Sequence, residues 1–364
     1  ALVCIVFTDI TRATPNARLI PWLLEFLREE GGVTRDRVTL LNSTGTHRPN
    51  TPAELEELLG RETVREYRVL NHECEDASSL VRVGTTRSGA PALLNRHLVE
   101  AGTRIITGFI EPHFFAGFSG GPKGIMPGCA GLETILGNHR AAHIADPNAT
   151  FGVTRGNPIW EEMRDLALRA GPSFLLNVTL NESRAITGVF AGDLIEAHRQ
   201  GTEFVRTSAM RRVESAFDLV VTTNSGHPLD MNLYQGVKGM SAGARLLKPG
   251  GTLILACECR EGVPSGSPME RLLHSAGSAE ELLERMLRAD RTHPEQWQAQ
   301  IQALVQRRAD VRVFSSLPDA TLRACHLEPC HDIAAAVRDA VRKNPAARVP
   351  VLPQGPLTIP YLAG

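Results

Sequence analysis

A short apolar run, Leu2 to Phe7 (LVCIVF), opens the chain and empties at once into the polar segment Thr8-Asp9-Ile10-Thr11-Arg12. A β-branched run with no alternating polar face is the pattern of a strand buried on both sides, which points to a parallel sheet covered by helices. The pattern repeats. Asn16 to Glu30 carries Leu19, Trp22, Leu23, Phe26 and Leu27 at helical spacing and stops at Gly31-Gly32, after which Arg37 to Asn42 reads as a second strand. That strand leads into Ser43-Thr44-Gly45-Thr46-His47-Arg48-Pro49, and Thr51-Pro52-Ala53-Glu54 then starts a helix with a cap, a proline at the first position and a box glutamate. Tyr67 to His72 predicts a third strand, Glu73 to Asp76 a solvated acidic loop, Pro91 to Ala101 a helix and Arg104 to Ile110 a further strand. Open α/β sheets place ligands at the carboxyl ends of their strands. Asp9, His47 and His113 each stand just past such an end and are expected to converge.

The stretch from Glu111 to His139, EPHFFAGFSGGPKGIMPGCAGLETILGNH, concentrates the chemistry-bearing residues. It holds His113, a glycine-rich turn from Gly117 to Gly121, Lys123 and His139. A glycine turn followed by a lysine resembles a phosphate cradle, because backbone N–H groups and a cation can meet an anion where no Cβ intervenes. It is not a Walker A loop: Lys123 follows Pro122 and precedes Gly124, where that motif needs a Ser or Thr. Taken singly, each residue has an ordinary reading as a loop histidine, a solvated lysine or a salt-bridged aspartate.

Beyond His139, Ile159 to Ala170 and Asp193 to Thr207 read as helices, with Phe174 to Leu180 and Ile186 to Phe190 as paired strands. A strand from Phe217, a helix from Asn232 to Arg245 carrying Tyr234, Gln235 and Lys238, and a strand from Thr252 to Ala256 form a second α/β unit. The boundary is expected near Arg206 to Arg212, giving a cofactor-binding and catalytic domain over 1–208, a second domain over 209–354 and a tail over 355–364 that packs back on the first. The fold expected is two Rossmann-like α/β domains with mainly parallel sheets and an active-site crevice between them. The chain starts on a strand with Ala1, so an upstream piece of the first domain is expected.

Lysine and arginine number 39 against 40 aspartates and glutamates, a net charge of -1, so no nucleic-acid or anionic-membrane surface is advertised. No apolar run approaches the roughly 18 residues that span a bilayer. Seven cysteines without Cys-x-x-Cys spacing argue for a reducing, cytoplasmic setting. Cys325-His326 and Cys330-His331 match no closed zinc site and read as core thiols and surface histidines.

In this order and spacing, several motifs resemble the lactate racemase family of nickel-pincer-nucleotide enzymes, which racemise or epimerise 2-hydroxy acids. They are Asp9-Ile10-Thr11-Arg12, Gly45-Thr46-His47-Arg48-Pro49, His113 with Lys123 and His139 behind it, and Tyr234-Gln235 with Lys238. The resemblance implies a cofactor joined to Lys123 as a thioamide and holding nickel through sulfur, carbon and sulfur, with His139 as fourth ligand. Soft donors and one imidazole on a square plane suit Ni(II). It further implies His47 and His113 as acid and base on opposite faces of the substrate, around hydride transfer to the pyridinium and a planar 2-oxo acid. Arg12 and Gln235 fall to the substrate, and Asp9, Gly120, Gly121, Tyr234 and Lys238 to the cofactor, Asp9 alternatively orienting Arg12. Enzymes that build the cofactor are the implied partners, and the oligomeric state stays open. Two other readings compete: a non-catalytic carrier of the nickel nucleotide, and a phosphoryl-transfer enzyme built on the glycine turn.

Overall fold

The computed structural model describes residues 1–363. The chain divides into two compact units, one comprising Ala1–Glu111, Phe118–Asn138 and Thr154–Arg206, the other Pro112–Gly117, His139–Val153 and the chain from Thr207 onward. The segments bearing His113 and His139 therefore belong with the second unit, although Lys123 between them belongs with the first.

In the first unit the strands in chain order are β1 (Val3–Thr8), β2 (Val38–Ser43), β3 (Arg68–Asn71), β4 (Leu80–Thr85), β5 (Pro91–Asn95), β6 (Thr103–Phe109), β7 (Phe174–Leu180) and β8 (Ile186–Asp193). The helices that matter here are α1 (Asn16–Glu29), α2 (Pro52–Leu59), α3 (Leu132–Asn138), α4 (Pro158–Arg169) and α5 (Leu194–Ala209). A six-stranded sheet runs β8-β7-β6-β1-β2-β3 and is parallel except for β8. Strand β1 is central: Val3 pairs with Val38 on one side and Thr103 on the other. The chain goes from β1 to β2 and β3 in one direction and later to β6 and β7 in the other, so the loops after β1 and β6 leave the sheet at a topological switch point. From Val3 to Phe7 the apolar run is buried as its composition demands. Ile5, Val6 and Phe7 have no exposed surface, and Ile5 and Phe7 pack with Ile20, Leu24, Leu40 and Leu59. Each such side chain contributes about 1.5–3 kcal/mol by leaving water.

One expected element is different. Pro91 to Ala101 is not a helix: β5 occupies Pro91–Asn95, paired antiparallel with β4, and only Arg96–Val99 is helical. The extended backbone finds distant partners. Leu93 N–H donates to Thr134 Oγ1 at 2.8 Å, and Asn95 N–H to the Cys129 carbonyl at 2.8 Å.

In the second unit β9 (Met210–Val213), β10 (Phe217–Thr223), α6 (Leu233–Ala244), β11 (Leu247–Ala256), α7 (Gln296–Gln306), β12 (Ala309–Phe314), β13 (Glu328–Pro329), β14 (Val351–Leu352) and β15 (Ile359–Leu362) follow in order. A five-stranded parallel sheet runs β13-β12-β11-β10-β14, and the tail strand β15 lies parallel to β9. Both units are thus α/β with mainly parallel sheets, the class the sequence predicts. Among the described residues no helix is long and apolar enough to cross a membrane.

Candidate active site

The polar loops after β1 and β2 meet. Asp9, one residue past β1, is 2% exposed, and its Oδ2 lies 2.5 Å from Nδ1 of His47. Its Oδ1 accepts from Thr11 Oγ1 at 2.7 Å. Burial pushes the Asp9 carboxyl up, but the hydrogen bond and charge of His47, the charge of Arg12 and the Thr11 hydroxyl outweigh it and hold the group at about 2. A carboxylate accepts only, so the ring nitrogen facing it carries the proton. A neutral His47 then has its lone pair on Nε2. The imidazole is about one-third exposed, so it is held from beneath and open above. Arg12 closes the same turn, its backbone N–H donating to the Asp9 carbonyl at 3.1 Å.

The glycine turn of the first unit is shaped by its neighbours. Gly120 and Gly121 have φ of 77° and 56°, in the left-handed region that favours glycine. A Cβ on Gly120 would fall 2.4 Å from Asn177 Oδ1 on β7, and one on Gly121 would fall 2.4 Å from the His198 ring on α5. Asn177 Oδ1 also accepts the Gly121 N–H at 2.8 Å, so this donor is spent within the protein. His198 donates from Nε2 to the Ser119 carbonyl at 3.0 Å, and burial pushes it down to about 4, keeping it neutral. Lys123 rides on the single helical turn Gly121–Gly124 that this bracing produces, half-buried.

In the second unit His113 is buried, and its Nδ1 accepts the Ala116 N–H at 3.2 Å, which puts the proton of its neutral ring on Nε2. His139, 3% exposed, follows the end of α3. Phe115 lies edge-on to both rings, with centroids 4.6 Å from His113 and 5.1 Å from His139. Trp297 of α7 meets His139 from another side at 4.9 Å, and its indole N–H donates to Tyr234 Oη at 3.2 Å. Tyr234, Gln235 and Lys238 are all half-buried on α6, and Lys238 stands one helical turn beyond the other two, on their side of the helix. The opposite face carries glycines. A Cβ on Gly239 would lie 2.7 Å from the Thr223 carbonyl, so the absence of side chains there lets α6 lie against β10. Asn232 caps this helix through the Gln235 N–H at 3.1 Å.

Sequence reasoning did not find Asn177, His198 or Trp297. Their relevance comes from contacts made across tens of residues, and no local pattern marks them. Among the described residues no three His, Cys, Asp or Glu side chains group so as to hold a metal ion.

Comparison with known proteins places the chain in a family. A model of the lactate racemase N-terminal domain matches residues 1–152, and one of the lactate racemase C-terminal domain matches residues 213–359. The chain is 36% identical over 358 residues to the lactate racemase of Thermoanaerobacterium thermosaccharolyticum, and 37% identical over 359 residues to that of Lactiplantibacillus plantarum. Each alignment covers 97% of this chain and 83% of the relative. The solved lactate racemase apoprotein from T. thermosaccharolyticum superposes with a TM-score of 0.94 at 35% identity, covering 98% of this chain and 86% of that one. A Thermotoga maritima protein, at a TM-score of 0.75 and 20% identity over 99% of this chain and 93% of its own, shares the fold. With identity of this extent along almost its whole length, the chain belongs to the lactate racemase family of isomerases.

Proposed function

We propose that this enzyme interconverts the enantiomers or epimers of a small 2-hydroxy acid such as lactate, using His47 and His113 as proton carriers and a nickel-pincer nucleotide as cofactor. The observation that carries the reading is the buried Asp9 carboxylate on Nδ1 of His47. An anion on one nitrogen makes the other a better proton acceptor and stabilises the imidazolium that results, the logic of carboxylate-histidine pairs in hydrolases. Nε2 of His47 takes the proton of the substrate hydroxyl and returns it. His113 serves the mirror-image substrate, for which its ring changes tautomer, Nδ1 releasing the Ala116 N–H and taking up the proton that rests on Nε2, and Arg12 and Gln235 hold the carboxylate, Arg12 with its two-pronged guanidinium.

The donor set fits the nucleotide. A nickel ion that brings sulfur and carbon donors with it needs one imidazole, which His139 would supply. Lys123 offers the amine for covalent attachment. When bound, the group would accept the hydrogen that leaves the substrate carbon with its electron pair. The seven cysteines are free thiols, in keeping with a reducing cytoplasm in which cofactor-building enzymes load the protein.

The test is intact mass and nickel content of the chain produced with those enzymes, beside Lys123→Ala, followed by chiral chromatography of one lactate enantiomer. An adduct and stoichiometric nickel that both depend on Lys123, with racemisation, are expected. Nickel without an adduct removes the covalent role of Lys123. A loaded chain that racemises no 2-hydroxy acid leaves the carrier reading in place of the enzyme.

A further inference from the structure

The His47 loop is tied to the Asp9 loop by one side chain outside the motifs already described. Asn50, three residues past His47, is 5% exposed. Its Oδ1 accepts from the Ile10 backbone N–H at 3.2 Å and from Asn42 Nδ2 at 2.8 Å. The peptide so gripped is the one that joins Asp9 to Ile10. The backbone of Asn50 is gripped in turn by Asn71, the last residue of β3: its N–H donates to Asn71 Oδ1 at 3.2 Å, and its carbonyl accepts from Asn71 Nδ2 at 3.0 Å. Asn42, on β2, donates to Asn71 Oδ1 as well, at 2.8 Å. Asn50 Nδ2 completes the set by donating to Glu54 Oε2 at 3.1 Å. Glu54 also caps α2 and pairs through both oxygens with Arg48, the residue next to His47, at 2.8 and 2.6 Å.

Asn42 and Asn71, at the ends of neighbouring strands, and the buried loop residue Asn50 thus form a network in which Asn50 alone touches both loops. A buried amide satisfied in this way is costly to misplace, so the network fixes a geometry as well as adding stability. A carboxylate can select the Nδ1–H form of a histidine only if the two loops keep their register.

We propose that Asn50 is a positioning residue for the acid/base reaction, setting the Asp9–His47 alignment and hence the tautomer of His47. The inference rests on the reading of His47 as a proton carrier. Asn50→Ala removes the bridge.

The experiment follows the imidazole nitrogens by NMR in the full chain labelled with 15N-histidine, at a pH well above the histidine range, with His47 assigned by difference from His47→Gln. The same variants are assayed as cofactor-loaded enzyme. The parent is expected to show His47 as the Nδ1–H tautomer. Asn50→Ala is expected to mix the tautomers and to lose about 10- to 100-fold in kcat with little change in KM, the scale on which small misplacements act. If Asn50→Ala does not fold, Asn50→Ser, whose hydroxyl is too short to bridge, takes its place. An unchanged tautomer and kcat in the Ala or Ser variant overturns the proposal. Asp9→Asn separates the two levels. If it leaves the tautomer and rate of the parent, the Asp9–His47 reading itself fails; if it alters both while Asn50→Ala does not, only the role of Asn50 falls.

Discussion

His47 and His113 are fixed by partners of opposite character: a buried carboxylate accepts from Nδ1 of the first, and a backbone N–H donates to Nδ1 of the second. The surroundings differ in the same sense. His47 is about one-third exposed above an anion, whereas His113 is buried among Phe114 and Phe115, the latter shared with His139. A proton arriving at Nε2 of His47 meets a counter-charge already in place. For His113 to carry two ring protons, its Nδ1 must give up the Ala116 N–H, a loss of about 0.5–1.5 kcal/mol. The fold therefore supplies two imidazoles with complementary resting tautomers, one presenting a lone pair on Nε2 and the other a proton.

The strongest way to break the comparison is to remove one ring at a time. His47→Gln and His113→Gln are each expected to lower racemisation about 10²–10⁴-fold while nickel content stays at the parent level, because acid-base groups contribute on that scale and neither is assigned to the metal. Chiral chromatography beside elemental analysis checks both halves. Full racemisation by either variant would show that the two rings do not share the work.

A smaller effect is expected from Asp9→Asn. The amide keeps the volume but loses the charge that favours imidazolium, so kcat is expected to fall about 10- to 100-fold, the usual cost of removing such a supporting partner. The same change has a signature in stability. Asp9 is held at about 2, below its ordinary 3.8, so its contribution is present above the ordinary carboxylate value and is lost as pH falls through about 2. That shift corresponds to about 2 kcal/mol. Acid unfolding of the Asp9→Asn variant should lack this component, and denaturant midpoints followed from neutral pH down through about 2 would reveal it.

How much of this is legible in the sequence follows from how local each signal is. The β1 run, the Thr51–Glu54 cap and the α6 helix are written in adjacent residues, and the structure has all three. The β4–β5 hairpin is not, because Pro91 to Ala101 has acceptable helical composition. Its extended form is selected by Thr134 and Cys129, dozens of residues away. The same holds at the site. Asp9, His47 and Lys123 stand out by position and type, but sequence reasoning pairs Asp9 with the cofactor or Arg12. Its carboxylate also has His47 as a direct partner, a contact that spans 38 positions. Gly121 reads as part of an open anion cradle, and only Asn177 and His198 reveal that its N–H and its missing side chain serve the packing.

The smallest expected effect tests the aromatic side of the comparison. His47 is aligned by charge, while His139 is aligned by the edges of Phe115 and Trp297. Trp297→Phe keeps an aromatic ring beside His139 and deletes the N–H donated to Tyr234 Oη together with part of the indole's volume. One neutral hydrogen bond amounts to about 0.5–1.5 kcal/mol and the lost ring volume adds to it, so nickel retention and kcat/KM should each fall by about tenfold. Trp297→Ala also removes the ring and should cost more, since truncating a buried aromatic leaves a cavity. The spacing between the two variants, read from nickel retained after dialysis, decides which contact matters. If Phe and Ala are equally damaging, the bond to Tyr234 and not the ring edge fixes this region. His139 would then be held through a polar chain leading to α6, and the contrast with the carboxylate-held His47 would be one of strength, not of kind.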